Sequence, residues 1–161
     1  KHLQQMLKRS HAHQGTSFLE IYQNCNIFND GAFEIFTDKG TKQEETLFME
    51  QGKPLVFGAG GKKGIRLDGL KPVVVSLEDG DFSADDLWIH DEGDFFKAQI
   101  LTRFFDNPSE EHHLPRPFGV FFETSRPTYE SVMAAQLETA KTRKAADLDA
   151  LLAGRETWTI N

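Results

Sequence analysis

The feature that most constrains the fold is a short apolar run followed directly by a loop that carries the chain's only cysteine. Residues 17–22 follow a Gly15-Thr16 break and are mostly apolar, with polar residues only at Ser17 and Glu20. This pattern predicts a short buried strand rather than a helix. The next residues, 23–31, are rich in Asn, Asp and Gly, which bond to their own backbone or tolerate left-handed geometry. A loop with Cys25 is therefore predicted at the carboxyl end of this strand, where open α/β sheets bind ligands.

The hydrophobic pattern predicts helices and strands along the rest of the chain. A helix is expected within residues 1–13, because Leu3, Met6 and Leu7 recur at helical spacing, and residues 34–45 are interpreted as a connector. Strands are predicted at 47–50, 54–58, 64–68, 72–77 and 118–122, the first two forming a hairpin that bends at 51–53. Helices are predicted at 94–105 and 129–143, with a last helical turn at 148–152 before Gly154. The apolar stripe along the 129–143 helix is expected to pack rather than to bind a cofactor.

Together these elements predict an α+β or α/β fold. It has a last helix–strand unit of an α/β domain, then a C-terminal region of β-hairpins and two or three helices, with a boundary near Phe33. We expect Ser83 to cap a short turn and the apolar residues of the 94–105 helix to face a core. These residues are Phe96, Ile100, Leu101, Phe104 and Phe105.

Composition excludes several functional classes. The net charge is −7 and the 18 basic residues are dispersed, which argues against a nucleic-acid partner. No apolar run approaches the roughly 20 residues that span a bilayer, so no membrane association is expected. A single cysteine rules out an internal disulfide framework and fits a reducing cytoplasm.

Other polar patterns have ordinary interpretations. The Gly-rich segment 58–64 is interpreted as a hairpin tip with two solvated lysines, because a Walker motif needs Ser or Thr after Gly-Lys and then a helix. The acidic residues of 79–86 lack the spacing of an EF-hand, and the pair His90-Asp91 lacks a nucleophile elbow. The remaining histidines are interpreted as surface residues: His2, His11, His13, His112 and His113.

Two parts of the sequence resemble a known family. Residues 13–30 resemble the stretch that closes the thiamine diphosphate domain in the β subunit of bacterial 2-oxoacid:ferredoxin oxidoreductases, the 2-oxoglutarate-using kind. Segments 117–121, 126–130, 148–152 and 156–159 resemble that subunit's C-terminus. The resemblance implies that residues 1–33 are the C-terminal end of the thiamine-diphosphate-binding α/β domain, and that 34–161 are the β subunit's C-terminal domain.

The resemblance also implies a role for Cys25. Cys25 resembles the cysteine that is the last of four thiolate ligands of a [4Fe-4S] cluster in that family. The resemblance therefore implies that Cys25 is a metal ligand. A cluster of this kind needs about four thiolates, whereas this chain has one cysteine and lacks the family's Gly-Asp-Gly-Asp motif for magnesium and thiamine diphosphate. We therefore expect the C-terminal portion of a longer subunit, with thiamine diphosphate, Mg²⁺ and [4Fe-4S] in the intact enzyme and none in this fragment.

The activity implied by the resemblance is oxidative decarboxylation of 2-oxoglutarate or a related 2-oxoacid to acyl-CoA, with electrons passed to ferredoxin. The implied partners are an α subunit, a second β subunit and ferredoxin, in the cytoplasm. The fragment itself is expected to be inactive, and no catalytic residue is assigned to it. Two alternatives stay open: a non-catalytic module for subunit assembly, and a Cys25 that is a buried small hydrophobe. Trp158 is expected to dock on this domain or on a partner subunit.

Overall fold

The chain folds into two compact units. The computed structural model describes residues 1–104, 114–143, 147–154, 158 and 160. Unit 1 comprises Lys1–His11 and Phe18–Thr124, and unit 2 comprises Ala12–Ser17 and Ser125–Asn161. The predicted boundary near Phe33 falls within unit 1 and stays a prediction.

The elements are mixed helices and strands, as an α+β fold requires. The α-helices are α1 (His2–Ala12), α2 (Lys42–Glu45), α3 (Phe95–Leu101), α4 (Tyr129–Arg143) and α5 (Leu148–Ala153). The strands are β1 (Thr46–Phe48), β2 (Val56–Phe57), β3 (Lys63–Asp68), β4 (Lys71–Ser76) and β5 (Arg116–Phe118). Short 3-10 helices lie at Glu34–Phe36, Ala59–Gly61 and Ala84–Asp86. None of the described helices is long and apolar enough to cross a bilayer.

Unit 1 is organised around two small sheets and one apolar core. A parallel pair joins β1 to β5, and an antiparallel sheet has the order β2-β3-β4. The core contains Leu47, Met49, Leu55, Phe57, Ile65, Trp88, Leu101 and Phe104. Because these side chains come from both sheets and from α3, their burial holds the elements of unit 1 together.

The hairpin of β3 and β4 confirms the two strands predicted at 64–68 and 72–77. Its ladder runs from the pair Lys63↔Ser76 to the pair Asp68↔Lys71, with Gly69 at a positive φ of 61° in the turn. Gly64 is buried in β3, where an added Cβ would lie 2.5 Å from Leu87 Cδ2. The strand therefore has a glycine at the point where a neighbouring side chain comes closest.

The hairpin predicted between residues 47–50 and 54–58 is wrong. The bend itself is present, since Lys53 N–H donates to Glu50 O over 3.1 Å and Gly52 has a φ of 72°. The flanking strands nevertheless pair elsewhere, β1 with β5 in parallel and β2 with β3 in antiparallel orientation. A turn-compatible loop therefore does not by itself determine which strands pair.

The strand predicted at residues 17–22 is also wrong in this structure. Residues 16–24 have no regular secondary structure, and Phe18 is 91% exposed. A strand needs a hydrogen-bonded neighbour, and none of the described strands pairs with this segment. The connector expected at 34–45 is more ordered than predicted, because it contains a 3-10 helix with the buried Phe36 and then α2.

Helix α3 is shorter than the 94–105 prediction but begins where expected. Asp94 caps it by accepting a hydrogen bond from Lys97 N–H over 3.0 Å, and Thr102 is its C-cap. Leu101 and Phe104 are fully buried as predicted, whereas Phe96 is 76% exposed and the prediction of a core position for it is wrong. Phe96 therefore lies on the solvent side of α3. The predicted core residue Phe105 lies outside the described residues.

Two smaller predictions have different outcomes. Ser83 does cap the Ala84–Asp86 turn, in a capping box with Asp86. The strand predicted at 118–122 is displaced toward the N-terminus, because β5 ends at Phe118. The position of β5 follows from its pairing with β1, which the local sequence does not specify.

An ion-pair cluster anchors α1 within unit 1. The guanidinium of Arg9 donates to both carboxylate oxygens of Glu92, over 2.8 and 2.5 Å, and to Glu123 over 2.5 Å. Hydrogen bonds to Glu92, and then to Glu123, raise the pKa of Arg9. Glu92 is buried, and Arg9 is its bidentate ion-pair partner.

Unit 2 confirms the predicted helices but not their packing. The bounds of α4 match the predicted 129–143, and α5 ends before Gly154 as expected. No described residue of α4 or α5 is buried, so the predicted packing stripe along α4 is exposed. Trp158 is 83% exposed. Its docking on this domain or on a partner subunit stays a prediction.

Candidate metal-ligand loop and the adjoining cleft

Cys25 lies on a tight loop closed by hydrogen bonds at both ends. Asn29 N–H donates to Cys25 O over 2.8 Å, so residues 25–29 form one turn. Around this turn, Asn24 donates through Nδ2 to Asp30 Oδ1 over 3.0 Å and accepts from Gly31 N–H over 2.9 Å. The Asn- and Asp-rich sequence thus forms the loop that was predicted, through side chains that bond to the local backbone.

The same loop surrounds the sulfur with backbone donors. The backbone N–H groups of Phe28 and then Ile27, with a smaller contribution from Asn29, donate to Cys25 and lower the pKa of its thiol. Cys25 is half-buried and has no disulfide partner. A fully buried small hydrophobe, which was the alternative interpretation, does not match this exposure. The arrangement favours a thiolate, which is the form of cysteine that binds metals.

We expect the pH profile of Cys25 alkylation to shift toward lower pH in the folded chain. Iodoacetamide reacts with the thiolate, so the midpoint of the rate against pH follows the thiol pKa, which the N–H donors lower. The depressed pKa also means that the thiolate stabilises the fold above the unfolded-state pKa and that this contribution is lost as the pH falls through the folded-state pKa.

The matched control for this measurement is the same chain unfolded in urea. Because there is only one cysteine, the alkylated mass reports Cys25 alone. A folded-state midpoint equal to or above the urea midpoint would contradict the proposed effect of the N–H donors.

Next to the loop lies an open cleft of about 940 Å³ within unit 1. We call it the aromatic cleft; α1, residues 19–24 and 30–37, β1 and the segment 117–121 line it. Tyr22 stacks on Phe33 with ring centroids 4.5 Å apart, and Phe48 stacks on Phe118 at 5.6 Å. Asn24 and Asp30, which close the Cys25 loop, also line the cleft, so the two features are neighbours.

Arg116 fixes one wall of the aromatic cleft. Its guanidinium lies 5.1 Å from the ring centroid of Phe36, and its Nη1 donates to the hydroxyl of Tyr22 over 2.8 Å. The polar end of Tyr22 is thereby satisfied while its ring stays in the cleft. Sequence reasoning missed this site because its members are far apart in the chain, although the 14 phenylalanines were a signal of aromatic surface.

His90 and Asp91 do not act as an orienting pair. His90 is fully buried with its Nε2 2.8 Å from Val120 O, and its Nδ1 has no hydrogen-bond partner among the described residues. Asp91 accepts from Gly93 N–H over 2.9 Å and from Gln51, and these two bonds lower its carboxyl pKa. The pair therefore supports the local turn and not a triad.

The Gly-rich segment is a turn closed by carboxylates. Ala59 N–H donates to Glu44 Oε1 over 2.9 Å, and Lys63 Nζ lies 2.8 Å from Glu44 Oε2, which lowers the pKa of Glu44. Lys62 pairs with Glu78 over 2.7 Å. The two lysines are exposed as predicted, but they are ion-paired and not simply solvated.

No second candidate for metal binding appears in the part of the chain that the structure describes. Within it, no group of three or more His, Cys, Asp or Glu residues could hold a metal ion. His112 and His113 lie outside the described residues. The role of Cys25 as a metal ligand stays a prediction from the sequence.

Comparison with characterised proteins confirms the resemblance to the β subunit of a 2-oxoacid oxidoreductase. The chain is 32% identical over 164 residues to the 2-oxoglutarate oxidoreductase subunit KorB of Mycobacterium tuberculosis (strain ATCC 25618 / H37Rv). The alignment includes 99% of this chain but only 42% of KorB, which is consistent with a C-terminal portion of such a subunit.

Two other comparisons found no match. No protein-family profile matches the chain. No solved structure matches it either.

Proposed function

We propose that this chain is the C-terminal portion of the β subunit of a 2-oxoacid:ferredoxin oxidoreductase. The observation that carries the proposal is similarity along 99% of the chain to a protein named as a 2-oxoglutarate oxidoreductase subunit. In this proposal residues 1–33 end the thiamine-diphosphate-binding α/β domain, and residues 34–161 are the β subunit's C-terminal domain. The whole enzyme would convert 2-oxoglutarate, or a related 2-oxoacid, to acyl-CoA and pass electrons to ferredoxin.

Cys25 is proposed to be one thiolate ligand of a [4Fe-4S] cluster in the intact enzyme. The N–H groups of Phe28 and Ile27 that lower its pKa support this role, because thiolate is the ligating form. Hydrogen bonds to cluster sulfurs also raise the reduction potential, so the same donors would tune electron transfer. One thiolate does not hold such a cluster, and the remaining ligands would come from the part of the subunit outside this chain.

The other cofactors and partners of the whole enzyme follow from the same proposal. Thiamine diphosphate with Mg²⁺ would supply the stabilised carbanion chemistry of 2-oxoacid decarboxylation. The partners would be an α subunit, a second β subunit and ferredoxin, in the cytoplasm. We assign no thiamine-binding or substrate-binding residue to this chain, and we expect it to be inactive on its own.

A second proposed role, compatible with the first, is subunit assembly. Helices α4 and α5 of unit 2 support it, because they expose large apolar side chains that a soluble surface seldom carries in such number. These include Tyr129, Leu137, Leu148, Leu151 and Leu152. In the assembled enzyme this surface would be covered by another subunit.

The activity of the complete enzyme tests the proposed function. The complete β subunit that contains this chain, purified with its α subunit, is expected to reduce ferredoxin or methyl viologen when given 2-oxoglutarate and CoA. Omission of CoA or of the 2-oxoacid provides the control, and the isolated 161-residue chain is expected to show no turnover. Turnover by the isolated chain, or a complete enzyme that oxidises no 2-oxoacid, would contradict the proposal.

A further inference from the structure

Two aromatic side chains stand at the two ends of the Cys25 loop. Tyr22 precedes the loop and Phe33 follows it, and their rings stack with centroids 4.5 Å apart and planes inclined by 17°. Both residues are half-buried, whereas residues 26–31 between them are exposed. A stacked pair of this kind stabilises the fold beyond the area that it buries. The loop is therefore tied together at its base by a contact that its own Asn and Asp residues do not make.

The stacked pair is held in turn by residues from a distant part of unit 1. The guanidinium of Arg116 donates to the hydroxyl of Tyr22 over 2.8 Å, although the two residues are 94 positions apart in the chain. The same guanidinium lies 5.1 Å from the ring centroid of Phe36, which is buried. Phe118 packs edge-on against Tyr22 with centroids 5.7 Å apart. These contacts connect the base of the Cys25 loop to strand β5.

Strand β5 fixes the backbone of Arg116. Arg116 is in register with Thr46 of β1, and the next pair in the ladder joins Pro117 to the fully buried Leu47. A guanidinium is planar and has several N–H donors, so it can lie against a ring and donate a hydrogen bond at the same time. Arg116 thus joins the core of unit 1, through its backbone, to the base of the Cys25 loop, through its side chain.

The surroundings of the Cys25 sulfur depend on how the two ends of the loop are held. The N–H groups of Phe28 and Ile27 donate to Cys25, and both residues lie between Tyr22 and Phe33 in the chain. Hydrogen bonds weaken steeply when distance and angle depart from their preferred values. Separation of the loop ends would therefore weaken the donors at the sulfur.

We propose that Arg116 is a positioning residue for the Cys25 loop and that it acts through the stacked rings of Tyr22 and Phe33. This inference rests on the proposed function, because the position of the loop affects electron transfer only if Cys25 binds the cluster. Hydrogen bonds to cluster sulfurs raise the reduction potential, so Arg116 would influence that potential from strand β5. In the proposed division of the subunit, a side chain of the C-terminal domain would then hold a ligand of the preceding α/β domain.

Hydrogen exchange of the complete β subunit, measured by mass spectrometry, tests the contact itself. Tyr22→Phe removes one hydroxyl and Arg116→Met removes the guanidinium, and each is expected to speed exchange of the amides of residues 25–31 about tenfold, because the loop opens more often. The double variant should again show an effect of about tenfold and not of about 100-fold, because both changes remove the same hydrogen bond. Unchanged exchange in the single variants, or multiplied effects in the double variant, would overturn the proposal.

Matched controls make the same chemical changes elsewhere in the chain. Tyr129→Phe removes the hydroxyl of an exposed tyrosine. Arg66→Met removes a guanidinium that lies 5.7 Å from the ring centroid of Phe82. Both controls are expected to leave the exchange of residues 25–31 unchanged. Equal effects of Arg66→Met and Arg116→Met would mean that loss of an arginine loosens the whole subunit, and would overturn the proposal.

The reduction potential of the cluster tests the consequence for electron transfer. Tyr22→Phe changes no charge, so a shift in this variant reports the position of the loop and not the loss of a cation. We expect its iron content to equal that of the unmodified subunit, and its equilibrium constant for reduction to fall about tenfold, which is about 59 mV for one electron. Redox titration followed by electron paramagnetic resonance measures this shift.

The two measurements separate failure of this inference from failure of the proposed function. An unchanged potential in Tyr22→Phe, in a subunit that binds iron, would overturn the positioning role and leave the proposed function intact. If the unmodified complete subunit binds no iron, the proposed function fails. The exchange of residues 25–31 then decides alone whether Arg116 holds the loop.

Discussion

Replacing Phe104 by alanine is expected to lower the free energy of unfolding of unit 1 by about 3–5 kcal/mol. Phe104 is fully buried, and its ring packs edge-to-face against Trp88 with centroids 6.1 Å apart. It belongs to the core cluster that joins β1, β2 and β3 to the end of α3, so its loss would leave a cavity that several elements share. A domain is stabilised by only about 5–15 kcal/mol in total, so this single change would remove a large part of it.

The matched control is Phe96→Ala, which makes the same chemical change on α3. Phe96 is mostly exposed, so its replacement should change the free energy of unfolding by no more than about 0.5 kcal/mol. Urea denaturation followed by circular dichroism measures both variants. Phe104→Leu, which retains more of the buried volume, keeps the comparison measurable if Phe104→Ala does not fold. Equal destabilisation by Phe104→Ala and Phe96→Ala would show that the described core is wrong.

Local sequence signals predicted the elements whose contacts are local. Helix α4 has the predicted bounds, and the hairpin of β3 and β4 is closed by a short turn at Gly69. The Cys25 loop was predicted for the same reason, since Asn24 and Asp30 bond to each other across only six residues. In each case the residues that determine the conformation are close together in the chain.

Contacts between distant parts of the chain could not be read from the sequence. The parallel pairing of Leu47 with Pro117 joins strands 70 residues apart, and neither strand carries a signal for its partner. The aromatic cleft depends on the contact of Arg116 with Tyr22. These two residues are also far apart in the chain, and neither carries a local signal for the other. Helix α3 shows a finer limit: it ends at Leu101 rather than at the predicted residue 105, and Phe104 beyond its end is buried whereas Phe96 within it is exposed.

The second large effect expected is loss of the iron–sulfur cluster when Cys25 is replaced by serine in the complete β subunit. Serine retains the size of the side chain and the N–H donors of Phe28 and Ile27, but it replaces a thiolate by a hydroxyl that stays protonated. A cluster that needs about four thiolates is not retained with one of them missing. The loop itself should persist, because Asn24, Asp30 and Asn29 close it without the sulfur.

Asn26→Ser is the matched control for that variant. Asn26 lies beside Cys25 on the same exposed loop, and its replacement leaves the sulfur and its N–H donors unchanged. Iron content and visible absorbance of the control should equal those of the unmodified subunit. A loss of iron in the control as well would mean that the loop, and not the thiolate, retains the metal.

The measurement that tests the central claim most directly is the iron content of the complete β subunit, anaerobically purified, with and without Cys25→Ser. Our account predicts about four iron atoms per unmodified subunit, the number in a [4Fe-4S] cluster, and loss of both the iron and the brown absorbance in the variant. Full iron content and unchanged absorbance in Cys25→Ser would show that Cys25 is not a ligand.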